Sequence, residues 1–320
     1  IGSITELQEE VKKSIAAGHM SEEISDDFDL HRPYVDDVIL TSSNGEPMYR
    51  EPDLIDVWFD SGAMPYAQWH YPFENDEVFN ANYPADFIAE GVDQTRGWFF
   101  TLHAIATLLY DKVAFKNVIA NGLVLDKNGN KMSKRLGNAV NPFETMDKYG
   151  PDATRWYMIA NANPWDNLKF DIEGVAEVQR KYFGTLANTY SFFALYANLD
   201  GFNFSKSAIP VEKRTESDRW VISRLNSLIK EVDAAFNEYE PTKAARAIQN
   251  FVTDELSNWY VRLNRKRFWV GEYNEDKEAA YQTLYTALAT VAQLSAPIAP
   301  FYSEQLFRDL NAVSGLDSSE

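Results

Sequence analysis

The sequence predicts an α/β region followed by an all-α region, and three observations carry that expectation. First, a short apolar strand at Phe87–Ala89, a Gly-containing turn, a helical face through Trp98, Phe99, Leu102, Ile105, Ala106 and Leu109, and a second strand at Phe115–Asn121 make one strand–helix–strand unit. Second, from Pro151 to Leu310 the apolar residues recur almost entirely at the three- and four-residue spacings of helices. Third, Gly201, Asn203 and Pro210 break that pattern between Leu199 and Pro210. The expected division is therefore 1–150 for the α/β part, 151–210 for a connecting helical module and 211–320 for a second helical domain.

Composition bounds the possibilities. The chain has 320 residues, 45% of them apolar, enough for packed cores in two domains. No apolar run approaches the roughly 20 residues that span a bilayer, and the acidic start is unlike a secretory signal, so no membrane is expected as a partner. With no cysteine, disulfides and thiolate metal sites are excluded. His19, His31, His70 and His103 form no metal-ligand pair at helical spacing, and no GxxxxGK[ST] phosphate loop occurs. Neither zinc nor any other protein-bound metal is indicated, and the cytoplasm is the expected location. The first residue is Ile, which suggests an internal piece of a longer protein. Net charge is −18, and residues 1–53 hold 13 acidic against 4 basic residues. Contact with nucleic acid must then be local and lie outside that segment.

Taken in order, Ile4, Leu7, Val11 and Ile15 trace an amphipathic helix that Gly18 ends. Tyr34–Leu40 reads as a strand closed by the turn SSNGEP, and DLIDVWFDSG (Asp53–Gly62) as a segment that begins as a strand and breaks at Ser61-Gly62. The helix of the strand–helix–strand unit should start at Gln94, which puts Glu90, Gly91, Asp93 and Gln94 at the strand's carboxyl end, where open α/β sheets bind ligands. Asn141, Pro142 and Glu144 make a capping-box start, and another helix should begin near Pro151-Asp152. In Pro241–Trp269 the residues Ile248, Val252, Leu256, Trp259 and Leu263 define an expected core face. Arg262, Arg265, Lys266 and Arg267 cluster at its carboxyl end, where the helix dipole favours cations; Tyr260, Phe268 and Trp269 among them favour RNA, whose bases stack on rings.

The stretch with the most chemistry is NGLVLDKNGNKMSKRLGN (Asn121–Asn138). Asp126, Asn128, Gly129 and Asn130 are turn formers, so Lys131 and Lys134 are expected on a flexible arm after a strand, able to close over polyphosphate or, more blandly, to sit on a solvated hairpin tip. KMSKR followed by LGN resembles the KMSKS signature of class I aminoacyl-tRNA synthetases, with Arg135 in place of the last serine. DVWFDSG (Asp56–Gly62) and EGVDQTRGWFF (Glu90–Phe100) are similar to the isoleucyl-tRNA synthetase branch of that family. DLHRPY (Asp29–Tyr34) resembles the segment after the family's inserted editing domain, and LSNWYVRLNRKRFW (Leu256–Trp269) its anticodon-binding bundle.

The resemblance covers essentially the whole chain and implies the distal half of a Rossmann-like catalytic domain joined to a helical-bundle anticodon-binding domain. It implies ATP-dependent activation of isoleucine to the adenylate and transfer to tRNA(Ile), with Mg2+-bound ATP as substrate, in a monomer. It also assigns Lys131 and Lys134 to catalysis, Lys134 foremost to ATP, and Glu90, Gly91, Asp93 and Gln94 to the aminoacyl-adenylate. Trp58 and Trp98 would line the isoleucine pocket, and Arg262, Arg265, Lys266, Arg267 and Trp269 would face tRNA. Without the resemblance Glu90 reads as a capping carboxylate and both tryptophans as core. No HxGH-like tetrapeptide occurs, although HIGH is the family's other ATP signature, so the chain alone is expected to be inactive. The alternatives are a valyl-tRNA synthetase and a non-catalytic tRNA-binding fragment or paralogue.

Overall fold

In a computed structural model, residues 1–53, 56–204 and 208–314 are described. Backbone contacts divide the chain into two units, Ile1–Asp86 with Arg96–Lys116, and Phe87–Thr95 with the chain from Asn117 onward.

In the first unit, α1 (Ile4–Ala16) starts where Ser3 Oγ accepts a hydrogen bond from the Glu6 amide at 3.1 Å, and it ends before Gly18 at φ +80°. Leu7 and Val11 are buried with Val38. The strand expected at Tyr34–Leu40 is instead a 3-10 turn, Tyr34–Asp37, followed by a two-residue strand β1 (Leu40–Thr41) antiparallel to β2 (Pro47–Met48). Asp36 receives Arg32 at 2.8 Å and Arg50 at 2.9 Å; the pair at i and i+4 curls the backbone that an extended strand would hold straight.

A second correction concerns DVWFDSG. Leu54 and Ile55 lie outside the described residues, but the rest coils into α2 (Val57–Ala67), capped by Asp56, whose Oδ1 accepts the Trp58 amide at 2.7 Å. After α3 (Asp76–Asn82), strand β3 (Ala85–Gly91) leads into a 3-10 turn, Val92–Arg96, and α4 (Trp98–Tyr110). The helix therefore starts four residues later than expected. Within that turn Gln94 Nε2 donates to Asp93 Oδ2 (3.1 Å) and Thr95 Oγ1 donates to the Val92 carbonyl (2.8 Å), local bonds that compete with helical pairing. Helix α4 packs on α2 at Gly62, where a Cβ would stand 3.0 Å from the Thr101 carbonyl carbon and 2.9 Å from Ile105 Cδ1. β4 (Phe115–Asn121) is the neighbour of β3 in a two-stranded sheet, as the strand spacing predicts.

In the second unit, β5 (Val124–Leu125) precedes the lysine loop, and two helices follow it, each with Pro in its first turn. Asn141 Oδ1 accepts the Phe143 amide at the start of α5 (Pro142–Tyr149), its Nδ2 donates to Glu144, and Pro151 opens α6 (Pro151–Asn161). A short strand that helical periodicity hides, β6 (Leu168–Lys169), pairs parallel with β5, Val124 opposite Leu168. α7 (Ile172–Val178) passes through a π-helical stretch, Gln179–Phe183, into α8 (Gly184–Asp200). Then come α9 (Glu216–Asn237), α10 (Pro241–Asn250), a π stretch at Phe251–Val261, α11 (Arg262–Trp269), α12 (Glu275–Ser295) and α13 (Pro300–Ser314). Trp156, Tyr182, Phe193, Leu225, Leu256, Leu284 and Leu310 belong to one buried core, so α8 and α9, on either side of the Leu199–Pro210 break, share it.

The π stretch overturns part of the expected core face. Ile248, Val252 and Leu256 are buried as the spacing predicts, but Trp259 is 57% and Leu263 62% exposed, while Tyr260, Asn264 and Phe268 are buried instead. Bonds from i to i+5 take an extra residue per turn, so the buried stripe slips by one position along the helix. Tyr260 Oη can then donate to Asp218 Oδ1 at 2.6 Å. The same carboxylate takes both terminal nitrogens of Arg267, at 2.7 and 2.8 Å, and the Thr215 hydroxyl at 2.8 Å, and Arg267 also pairs with Asp276 at 2.8 Å. Burial pushes the Asp218 carboxyl upward, yet the bonds from Arg267, Tyr260 and Thr215 outweigh it and hold it below its ordinary value.

This register sets what three kinds of substitution should cost. Phe268→Ala should cost about 3 to 5 kcal/mol, and Trp259→Ala about 1 kcal/mol or less, the scale of an exposed site; equal losses in chemical denaturation would refute the shifted stripe. Arg267→Ala should cost about 3 to 5 kcal/mol by stranding Asp218 in the interior. Because the folded Asp218 titrates below its unfolded value of about 3.9, its stabilisation is complete above that pH and drains away as pH falls through the folded value. The stability gap between wild type and Asp218→Asn should therefore narrow on acidification, and a gap that stays constant from neutral to strongly acid pH would count against the ion pair.

Candidate functional site

The candidate residues form separate groups, each built by local chemistry. In the first unit, Trp58 lies in the first turn of α2 and Trp98 in the first turn of α4. Ser61 joins them: its carbonyl accepts Trp98 Nε1 at 3.0 Å, and its hydroxyl donates to the Trp58 carbonyl at 3.1 Å. The close approach at Gly62 makes this possible, so Ser61-Gly62, expected only as a break, is a contact point between helices. Trp58 is 44% exposed, which sets it apart from a core side chain, and Trp98 is half-buried. The Trp98 indole is fixed by its own bond and the Trp58 backbone by the Ser61 hydroxyl, and the two rings can offer a flat apolar wall.

In the second unit, Glu90 and Gly91 end β3, and Asp93 and Gln94 sit in the 3-10 turn after it. Glu90 and Asp93 are exposed. Gly91 lets the Asp93 side chain fold close over the strand end, since a Cβ there would lie 2.5 Å from Asp93 Oδ1 and push that carboxylate aside. The run presents two carboxylates and an amide, groups that can hydrogen-bond a ribose or an amino group.

The lysine loop is braced by hydrogen bonds among its own residues. Its turn is closed by Asp126, whose amide donates to the Asn130 carbonyl at 2.9 Å and whose Oδ1 accepts the amides of Asn128 (2.9 Å) and Asn130 (2.8 Å). Gly129 has φ +88°, as the turn requires. Lys131 is exposed and forms an isolated bridge with Leu125, Met132 packs against the core of the unit, and the Ser133 hydroxyl accepts the Arg135 amide at 3.2 Å. The backbone of Lys134 opens a 3-10 turn, Lys134–Leu136; its side chain lies outside the described residues. Asp126 is held below its ordinary carboxyl range by the bond from Asn138 first and the Asn130 amide next.

On α11, Arg262, Arg265 and Lys266 are exposed and Trp269 is 54% exposed, so these four are presented to solvent. Arg267 is a correction to the expected RNA-facing set: its side chain is 13% exposed and its guanidinium is taken up by Asp218 and Asp276. The exposure of Trp259 and Leu263 was invisible to a 3.6-residue period. Trp259 stands 6.1 Å from Trp220, centroid to centroid, and extends the aromatic and basic surface. Among the described residues no three of His, Cys, Asp and Glu gather as a metal site. No helix of the described residues is long and apolar enough to cross a membrane.

Residues 3–171 match the model of the tRNA synthetases class I (I, L, M and V), and residues 218–319 that of the anticodon-binding domain of tRNA ligase. The chain belongs to the class I tRNA synthetases. Among curated relatives it is 73% identical over 320 residues to the isoleucine–tRNA ligase of Cytophaga hutchinsonii, covering 100% of this chain and 29% of that protein. It is 64% identical to that of Bacteroides fragilis (99% of this chain, 29% of the relative) and 50% identical to that of Thermus thermophilus (97% and 29%). The chain thus spans 29% of the length of these relatives. In fold it is similar to LeuRS of Agrobacterium radiobacter K84, solved in a ternary complex with tRNA and LeuAMS, with a TM-score of 0.68 at 21% identity over 93% of this chain and 36% of that one.

Proposed function

We propose that this chain is part of an isoleucine–tRNA ligase, in which it supplies the loop that handles ATP phosphates, the wall of the amino-acid pocket and the anticodon-binding bundle. The observation that carries the reading is the braced turn at Asp126–Asn138, which folds Lys131 back beside Leu125 at the end of β5 and stands within a chain 73% identical to such a ligase. The reported relatives are isoleucine ligases and lend no support to the valine alternative. Residues 1–150 act as the distal catalytic part, 151–210 as a connecting module and 211–320 as the anticodon-binding domain, in a cytoplasmic monomer.

The isoleucine carboxylate attacks the α-phosphorus of Mg2+-bound ATP, the bond to the bridging oxygen breaks, and pyrophosphate leaves. A hydroxyl of the terminal adenosine of tRNA(Ile) then attacks the acyl carbon and releases AMP. Carboxylate is already a nucleophile, so the first step asks for alignment and neutralised phosphate charge more than for a side-chain base. Lys131 and Lys134 meet that need from the loop. Glu90, Gly91, Asp93 and Gln94 hold the adenylate, and Trp58 with Trp98 bound the side-chain pocket. Arg262, Arg265 and Lys266 contact tRNA phosphates, Trp269 stacks on a base, and Arg267 braces the helix from within.

The polypeptide that carries this chain should exchange pyrophosphate into ATP in an isoleucine-dependent manner. Lys134→Ala should depress kcat by about two powers of ten, the scale of losing one transition-state donor; a drop below about threefold would make Lys134 a bystander. For tRNA, a titration across a salt series separates the contacts. Arg265→Ala should flatten the log-log slope by roughly 0.7 to 0.9, and Trp269→Ala should weaken affinity with the slope unchanged. A slope unaltered by Arg265→Ala would take that residue out of the phosphate footprint.

A further inference from the structure

We propose that Asp126 and Asn138 are positioning residues for amino-acid activation, a polar latch that joins the two ends of the lysine loop and fixes the backbone from which its lysines project. The proposal rests on the functional reading above and adds two residues to it.

The bonding is complete at both side chains. Asp126 Oδ1 accepts the amides of Asn128 and Asn130, while Oδ2 accepts Asn138 Nδ2 at 3.0 Å and Asn130 Nδ2 at 3.4 Å. Asn138 Nδ2 also donates to the Lys131 carbonyl at 3.2 Å, and its Oδ1 accepts the Ser133 amide at 2.9 Å. The orientation of the Asn138 amide is thereby determined. Turned over, its oxygen would face a carboxylate and a carbonyl, and its NH2 would face an N–H. One side chain at the loop's end thus holds the residues on both sides of Met132, and Asp126 at the loop's start holds that side chain.

Chemistry assigns this arrangement a purpose. The Asp126 carboxylate stays ionised, and the four amide donors around it turn its lone pairs inward to shape the loop. Neither side chain is placed to transfer a proton or bond to phosphorus. What they supply is a fixed internal shape for the loop, so that its lysines keep one spacing as they meet the phosphates. Met132, packed against the core of the unit, anchors the same stretch by apolar contact.

Donor and acceptor logic gives a reciprocal test in the polypeptide that carries this chain. Asn138→Asp sets an oxygen against Asp126 Oδ2 and the Lys131 carbonyl. Asp126→Asn, keeping its oxygen on the two backbone amides, sets an NH2 against Asn138 Nδ2. The double variant restores one donor facing one acceptor. Each single variant should lower kcat for isoleucine-dependent pyrophosphate exchange by about ten- to a hundredfold with the KM for isoleucine and the melting temperature unchanged. The double variant should return to within about threefold of wild type, since it lacks only the bond to the Lys131 carbonyl and the long one from Asn130 Nδ2. Hydrogen exchange at the Ser133 amide should quicken in the singles and slow again in the double. Singles within twofold of wild type, or a folded double variant no faster than the slower single, would overturn the latch while leaving the functional reading in place. A wild-type polypeptide with no isoleucine-dependent exchange would instead overturn that reading, and the proposal with it.

Discussion

The buried carboxylate of Asp218 is the constraint on which the helical part depends. It lies at the start of α9 with 0% exposure, and it is reached by Tyr260 from the π stretch and by Arg267 from α11. An ion in that position is costly unless every lone pair is met, so the helix that brings Tyr260 and Arg267 must keep its register. A straight α-helix through Phe251–Val261 would follow the expected stripe of Leu256, Trp259 and Leu263 and turn Tyr260 off it. The π stretch and the ion pair are therefore two aspects of one solution, and the face left to solvent, with Arg262, Arg265, Lys266, Trp259 and Trp269, follows from it.

How much of the fold was legible depends on how local its causes are. Ser3, Asn141 and Pro151 act within one turn of themselves, and the helices they start lie where the sequence places them. The strand Phe115–Asn121 is likewise read from its own residues. DVWFDSG misleads because Val57, Trp58 and Phe59 favour strands, while the cap at Asp56 and the α4 backbone against Gly62 make the segment a helix. Tyr34–Leu40 fails for a related reason, since Arg50, fourteen residues away from Asp36, helps to hold the 3-10 turn. Beyond Leu256 a count of threes and fours admits two stripes, Trp259 with Leu263 and Tyr260 with Phe268, and spacing alone does not choose between them.

The candidate site divides along the same line. The candidate residues are singled out by the resemblance more than by their type, since without it the lysines read as a hairpin tip, Glu90 as a cap and the two tryptophans as core. What holds them is singled out by neither. Asp126 reads only as a turn former and Asn138 only as part of LGN, because their bond to each other spans the loop and depends on its folded path. Arg267 is the opposite case, a cation indistinguishable in sequence from Arg265 and diverted by carboxylates on α9 and α12.

That diversion bears on how so acidic a chain would hold a nucleic acid. At a net charge of −18 the far field repels RNA, but at physiological ionic strength that field is screened within about 8 Å. Attraction must then arise at contact range, from cations whose own neighbours do not neutralise them. Arg267 is excluded by its two carboxylate partners, which leaves Arg262, Arg265 and Lys266 as the cations the helix exposes toward a phosphate chain. So small a number of phosphate contacts would make affinity only moderately salt-dependent, and the remainder of the binding energy would have to come from surfaces that salt does not weaken. Trp259 and Trp269, both more than half exposed on the same helix, are such surfaces, and stacking on a flat ring is indifferent to ionic strength. The internal ion pair therefore does more than stabilise the bundle. On the proposed function, by consuming one cation and fixing the helix register it would shift recognition from general charge toward rings held in defined places.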